Sequence, residues 1–301
     1  MNYYNEIKNK LIDNEVYKRV KDYSKNRNDL NTYYEVGKLL IEAQGGEDRA
    51  KYGDGLIKEY SIKLTNEMGK KYDITILKRM RQFYLLILKG ATMSHQLNWS
   101  HYVEILKFND INEINYYIYI TESYNLSVRE LRERIKNKEY QRLDDNTKLK
   151  LVNKEELDIR DSIKNPIVIK DRLGIDKENI SERILKDLIL EDLDNFLLEL
   201  GEGFTYIRNE YKIKIGNTYN YIDLLLFNIK FNCYVVIELK VCELKKEHIG
   251  QIEVYMNYID KHIKSINQDK TIGIIISRRD NHYYIEYSSD NRIYTINFAV
   301  G

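Results

Sequence analysis

The sequence predicts a chain of mixed class, an all-helical N-terminal domain followed by an α/β domain with a mixed central sheet. Three observations carry this reading. Apolar residues recur at three- and four-residue spacing from Ile7 to Tyr140, the texture turns to alternation beyond Pro166, and a charge-dominated stretch separates the two patterns. A length of 301 residues gives each domain room for its own core. The boundaries read as 1–140 helical, 141–165 charged linker or solvated helix, and 166–301 α/β.

In the helical part, Tyr33, Val36 and Leu40, and again Leu77, Met80, Tyr84 and Leu88, mark apolar helix faces. Turn residues interrupt them at Gln44–Asp48, at Gly69 and from Gly90 to Asn98. Tyr60–Met68 and Thr75–Leu88 read as two helices joined by Gly69-Lys70-Lys71-Tyr72-Asp73, a spacing shared with helix-turn-helix readers of DNA. Lys70, Lys71, Lys78, Arg79 and Arg81 are opposed locally only by Asp73 and would neutralise phosphates. A helical hairpin with a solvated basic face reads equally well. Trp99-Ser100-His101-Tyr102 reads as the start of a helix, with Ser100 as cap and Trp99 in the core.

Beyond Pro166, Ser181 caps a helix running through Leu200, with Leu185, Leu188, Ile189, Leu193, Phe196, Leu197 and Leu200 on one face and Gly201 at its end. Four strands follow, at Phe204–Ile207, Tyr211–Ile215, Tyr221–Phe227 and Cys233–Val241. A helix over about Lys246–Ile263, a β-branched strand Thr271–Ile276 and a strand Tyr283–Tyr287 complete the domain.

Three charges interrupt these apolar strands. Asp223 stands between Ile222 and Leu224-Leu225-Leu226-Phe227, and Glu238 and Lys240 follow Val235-Val236-Ile237. Charges are seldom buried without a partner or a metal, so their convergence points to chemistry. Alternate strand residues share a face, which puts Glu238 and Lys240 together, with Ile237, Leu239 and Val241 opposite. The short Asn228–Asn232 connection makes the Asp223 and Glu238 strands antiparallel neighbours, within reach of one cation. Magnesium, with manganese as a substitute, is commonly held by one or two carboxylates plus substrate phosphate, and Lys240 can orient a nucleophile. The competing reading is an amphipathic edge strand.

The order Ile222-Asp223, Glu238-Leu239-Lys240, then Gln251 and Tyr255 one turn apart resembles the PD-(D/E)xK nuclease superfamily, of restriction-endonuclease-like fold, including its Q-x-x-x-Y helix. Isoleucine stands before Asp223 where the superfamily's name has proline. Phe196–Phe204, Tyr221–Phe227 and Cys233–Lys240 resemble the YhcG-type nuclease domain, and Met80–Tyr84, Leu97–Tyr102 and Leu126–Arg132 its helical companion domain. The resemblance implies Asp223 and Glu238 as metal ligands, Lys240 as the catalytic lysine, and Gln251 and Tyr255 as approaching one phosphate or base. It also implies a first-helix glutamate near the metal. Glu182, Glu191 and Glu199 compete for that role, with Glu199, nearest the strands, preferred. His248, among Lys245, Lys246 and Glu247, reads as a surface histidine.

Composition narrows the rest. Lys and Arg total 48 against 47 Asp and Glu, so no global charge announces a polyanionic partner, although the first 140 residues are mildly basic and the remainder mildly acidic. Two cysteines, Cys233 and Cys242, exclude a disulfide framework or a four-cysteine zinc site and read as buried free thiols. No apolar run of signal-peptide or membrane-spanning length occurs, and the expectation is a soluble cytoplasmic protein. The 27 tyrosines accompany abundant Ile, Asn and Lys, as AT-rich coding produces, and carry no functional weight as a class. The expected function is a magnesium-dependent nuclease acting on nucleic acid, DNA first, in defence or in repair and recombination, with homo-oligomers compatible with the pattern. The alternatives are a non-cleaving nucleic-acid-binding protein of the same fold and a helical scaffold for partner subunits.

Overall fold

A computed structural model describes residues 2–20, 25–46, 54–171, 174, 180–279 and 290–300. The chain divides into two compact units, Met1–Tyr140 and Gln141–Gly301.

The first unit is helical throughout its described part. Helices α1 (Tyr3–Val20), α2 (Lys25–Ala43), α3 (Asp54–Met68) and α4 (Ile74–Leu88) enclose a core of Ile7, Leu11, Val36, Leu40, Ile57, Leu64, Leu77 and Met80. The α2–α4 contact is unusually close: a Cβ at Gly37 would lie 2.2 Å from the Met80 carbonyl oxygen, so glycine is what lets the two backbones approach. Asp73 starts α4 by accepting the Ile76 N–H at 3.0 Å. Three shorter helices follow, α5 (Trp99–Ile105), α6 (Ile111–Ser123) and α7 (Val128–Lys136). The cap of α5 is Asn98 rather than Ser100: Asn98 Oδ1 accepts the His101 N–H while His101 Nδ1 accepts the Asn98 N–H. Trp99 is only partly buried against the core, its ring tilted against Tyr33 and edge-on to Phe83.

The second unit holds a six-stranded mixed sheet in the order β1-β6-β5-β4-β3-β2. The strands are β1 (Ile167–Ile169), β2 (Phe204–Ile215), β3 (Thr218–Asn228), β4 (Cys233–Glu243), β5 (Asp269–Arg279) and β6 (Ile293–Val300). β2, β3 and β4 form an antiparallel meander, while β4, β5, β6 and β1 run parallel. One face is covered by α9 (Glu182–Glu191) and α10 (Leu193–Leu200), whose apolar stripe packs on Leu224, Val235, Ile237 and Leu239. The other is covered by α11 (Lys246–His262), packed on Leu225, Val236 and Ile275. A Cβ at Gly273 would sit 2.6 Å from Met256 Sδ and 2.9 Å from Ile252 Cδ1, so these α11 side chains pack directly on the bare backbone of β5.

The helix predicted from Ser181 to Leu200 is two helices that break at Asp192, with Ser181 capping the first. The two strands predicted at Phe204–Ile207 and Tyr211–Ile215 are one strand, irregular between Tyr206 and Arg208. β1 and β6 were not anticipated, and Tyr283–Tyr287 lies outside the described residues. Residues 141–165, read as a linker or a solvated helix, fold with this unit and include a helix on which only Thr147 is buried. The helix is α8 (Asp145–Asn153), and Asp161 beyond it is buried because Thr147 Oγ1 donates to it at 2.8 Å and Lys150 Nζ at 2.7 Å. Cys233 is buried and its thiol pushed up to about 11 by desolvation, whereas Cys242 is exposed. No described helix is long and apolar enough to cross a membrane.

Candidate active site

The β3–β4 ladder ends at the pair Leu224–Ile237, and the site begins one residue beyond it. There the side chain of Asp223 takes over from the backbone: its Oδ2 accepts the Leu239 N–H at 3.0 Å. This bond fixes the carboxylate against β4, beside the next residue pair. On β4, Val235, Ile237 and Leu239 point into the α9–α10 core, so alternation turns Glu238 and Lys240 to the opposite face, as the sequence pattern predicts. Lys240 Nζ donates to Glu238 Oε1 at 2.9 Å. Glu238 is 3% exposed, yet its Oε2 has no hydrogen-bond partner among the described residues. Burial first, and then the charge of Asp223, raise the Glu238 carboxyl to about 7 against the opposing pull of Lys240. Burial tends to lower Lys240, but Glu238 outweighs it and the ammonium is held above its ordinary value.

A second cation reaches Asp223 from α9. Lys186 Nζ lies 3.4 Å from Asp223 Oδ1 and 2.6 Å from Glu210 Oε1, and these acids keep its pKa raised despite burial. Glu210 stands on β2 between the pairs Asn209–Leu224 and Tyr211–Ile222, the place that faces Asp223 in the register. Its φ is 48°, a left-handed conformation that costs a non-glycine residue about 1 kcal/mol or more. Glu182, at the first turn of α9, approaches Lys240 Nζ at 3.8 Å. Neither Lys186 nor Glu210 stands out in the sequence, because their partnership joins three separate elements.

Residues 160–299 match the family model described as the YhcG PDDEXK nuclease domain, and residues 9–142 match the DUF1016 N-terminal domain. This chain thus carries, in its second unit, a match to the YhcG PDDEXK nuclease domain. It is also 27% identical to "Putative nuclease YhcG" of Escherichia coli (strain K12), over an alignment of 282 positions covering 81% of this chain and 75% of the other. Among solved structures, a repair endonuclease from Pyrococcus abyssi is 18% identical with a TM-score of 0.29, covering 41% of this chain and 49% of its own. An EndoMS–dsDNA2 complex has the same identity and TM-score, covering 41% and 48%. The chain spans about half the length of these two structures.

Within this YhcG-type domain, Asp223, Glu238 and Lys240 come together, whereas the other sequence candidates fall elsewhere or engage other partners. Gln251 and Tyr255 share a face of α11, where Gln251 Nε2 donates to Tyr255 Oη at 2.9 Å and the tyrosine is buried in the α11 core. Glu199, preferred from the sequence as the first-helix glutamate, is occupied structurally. Its carboxylate pairs with Arg142 through Nη1 at 2.5 Å and Nη2 at 3.1 Å, and it accepts the Val168 N–H at 2.8 Å. Glu182 is the glutamate of α9 that borders Lys240. His248 is half-buried rather than superficial: its Nδ1 accepts the Lys245 N–H at 3.1 Å, and its pKa is lowered by burial and by Lys240. Among the described residues, no group of three or more His, Cys, Asp and Glu side chains is arranged around a common metal position.

In the helical unit the basic cluster does not form one free stripe. Lys71 Nζ pairs with Glu15 Oε2 at 2.7 Å, Arg81 Nη1 donates to Gln44 Oε1 at 3.2 Å, and Lys78 and Arg79 are half-buried on α4. The side chain of Lys70 lies outside the described residues.

Proposed function

We propose that this nuclease-family protein hydrolyses the phosphodiester bonds of DNA in a divalent-metal-dependent reaction, with Asp223 and Glu238 as the metal-holding carboxylates and Lys240 as the catalytic lysine. The observation that carries the reading is the buried Glu238 Oε2 beside Asp223 and Lys240, unpartnered among the described residues. A buried carboxylate oxygen without a donor fits a hard cation, and two carboxylates are enough where water and substrate phosphate complete the shell. A magnesium or manganese ion held by Asp223 and Glu238 would supply Lewis-acid polarisation of the scissile phosphate.

The protein's own groups do the rest. The Leu239 N–H and Lys186 hold Asp223 in one orientation, so the site is ordered before substrate arrives. Lys240, kept protonated by Glu238, positions the attacking water and offsets charge that builds on the phosphate. Gln251 and Tyr255, already hydrogen-bonded to each other, form a polar pair suited to the substrate backbone. Lys78 and Arg79 are the residues through which we expect the helical unit to contribute nucleic-acid contacts, and their charge reversal should weaken binding and flatten its salt dependence. The two free thiols fit a reducing compartment, the cytoplasm. Defence against foreign DNA, or repair and recombination, are the processes such an activity serves.

The test is incubation of the full chain with labelled duplex and single-stranded DNA and RNA, in magnesium, in manganese and in EDTA. Metal-dependent cleavage of DNA is the expected result. Tight binding with no cleavage of any substrate would replace this reading with that of a non-cleaving binding protein.

A further inference from the structure

The β2–β3 hairpin continues past the site as a two-stranded ribbon. β4 pairs with β3 only as far as Leu224, whereas β2 and β3 stay paired to Ile215–Thr218. Tyr211 to Ile222 therefore form an arm whose base is Asp223 itself.

The two faces of this arm differ sharply. Ile213 and Ile222 are buried in the core beneath α11, and Tyr211 packs against that core. The opposite face carries the cross-strand pairs Lys212–Tyr221 and Lys214–Tyr219, and all four side chains are exposed. Tyr219 and Tyr221 are 53% and 52% exposed, and Lys212 Nζ lies 3.8 Å from the centroid of the Tyr219 ring. From Tyr211 to Ile222 there are two lysines and no acidic residue. Lysine alone is the usual guard of a sheet edge, but a guarded edge has no use for two bare tyrosines on the same face. Ring and ammonium in alternation match the two chemistries of a nucleic-acid strand, a base to stack on and a phosphate to neutralise.

We propose that this ribbon is a nucleic-acid-binding arm that leads the substrate strand to Asp223, with Lys212 and Lys214 on phosphates and Tyr219 and Tyr221 against bases. The proposal rests on the phosphodiesterase reading above and adds the surface that delivers the substrate. A two-stranded ribbon also fits the width of a duplex major groove, so duplex and single strand are both to be tried.

The experiment is fluorescence anisotropy of labelled duplex and single-stranded DNA with the full chain in EDTA, where binding is separated from cleavage. Lys212→Glu/Lys214→Glu should weaken binding at least about tenfold, and Lys212→Gln/Lys214→Gln should reduce the slope of log affinity on log salt by about 2. Tyr219→Ala/Tyr221→Ala should weaken binding by about tenfold or more, with single strand affected most if the rings stack on bases. Lys212→Arg/Lys214→Arg should retain affinity, and thermal melts of all variants should match the parent because the four side chains are exposed. Wild-type affinity and salt slope in the charge variants and the tyrosine variant would overturn the proposal, as would no binding of either DNA by the parent chain. A parallel cleavage assay in magnesium separates the two readings. Loss of binding in the ribbon variants with no cleavage by the parent sinks the phosphodiesterase alone, whereas normal binding by the variants with Asp223-dependent cleavage sinks the arm alone.

Discussion

Replacing Glu238 with glutamine should make the metal-free protein more stable, by an amount that grows as pH rises above about 4.5 and is nearly complete by about pH 7. The carboxyl is raised from 4.5 to about 7 by burial and by Asp223, so the folded state holds its proton more tightly than the unfolded chain does. Its contribution is therefore complete below the unfolded value and is lost as pH climbs through the folded one. At 1.36 kcal/mol for each tenfold change, the displacement from 4.5 to about 7 corresponds to about 3 kcal/mol withdrawn from the wild type at about pH 8.5. Glutamine keeps an acceptor for Lys240 and cannot ionise. Thermal melts in EDTA should show Glu238→Gln above wild type by about 6–12 °C at about pH 8.5 and close to it at about pH 4.5. Saturating magnesium at alkaline pH should narrow the gap by stabilising the wild type, since the carboxylate then has its partner. A variant that melts below wild type at alkaline pH, or one whose advantage is independent of pH, would refute the reasoning.

Two further predictions concern neighbouring ion pairs. Removing the positive charge of Lys186, which shares Asp223 with an incoming cation, should tighten manganese binding several-fold in titration calorimetry of Lys186→Gln, and weaker binding would show that the lysine serves chiefly to orient the carboxylate. The Arg142–Glu199 pair is buried on both sides, so Arg142→Met strands a carboxylate and should cost about 3–5 kcal/mol in chemical denaturation, while Arg142→Met/Glu199→Met should recover most of it. A double variant no more stable than the single would show that the loss is one of packing.

The half of the site that lies on one strand was legible from sequence, because the two-residue period alone pairs Glu238 with Lys240. Asp223 followed from a short turn and the antiparallel neighbour it implies, and the observed register agrees. Residues whose meaning depends on distant partners were not legible. Glu199 and Glu182 lie on the same predicted helix, and only the approach of Arg142, 57 positions before Glu199, separates a structural carboxylate from one beside the site. The charges of 141–165 look solvated in one dimension, although Asp161 is buried among Thr147 and Lys150 in three. Glu210 carries no sequence signal for its left-handed backbone, since glutamate at φ 48° runs against local preference and is held by its tie to Lys186. The α5 cap did leave a signal: Asn98 followed three residues later by His101 is a capping box, with histidine in the place usually taken by Glu or Gln.

Cleavage of duplex DNA by the full chain, wild type beside Asp223→Ala, in magnesium and in EDTA, tests the central claim most directly. The wild-type rate should disappear in EDTA and fall by about 100-fold or more in the variant. Equal rates for the two proteins, or undiminished cleavage in EDTA, would contradict the claim.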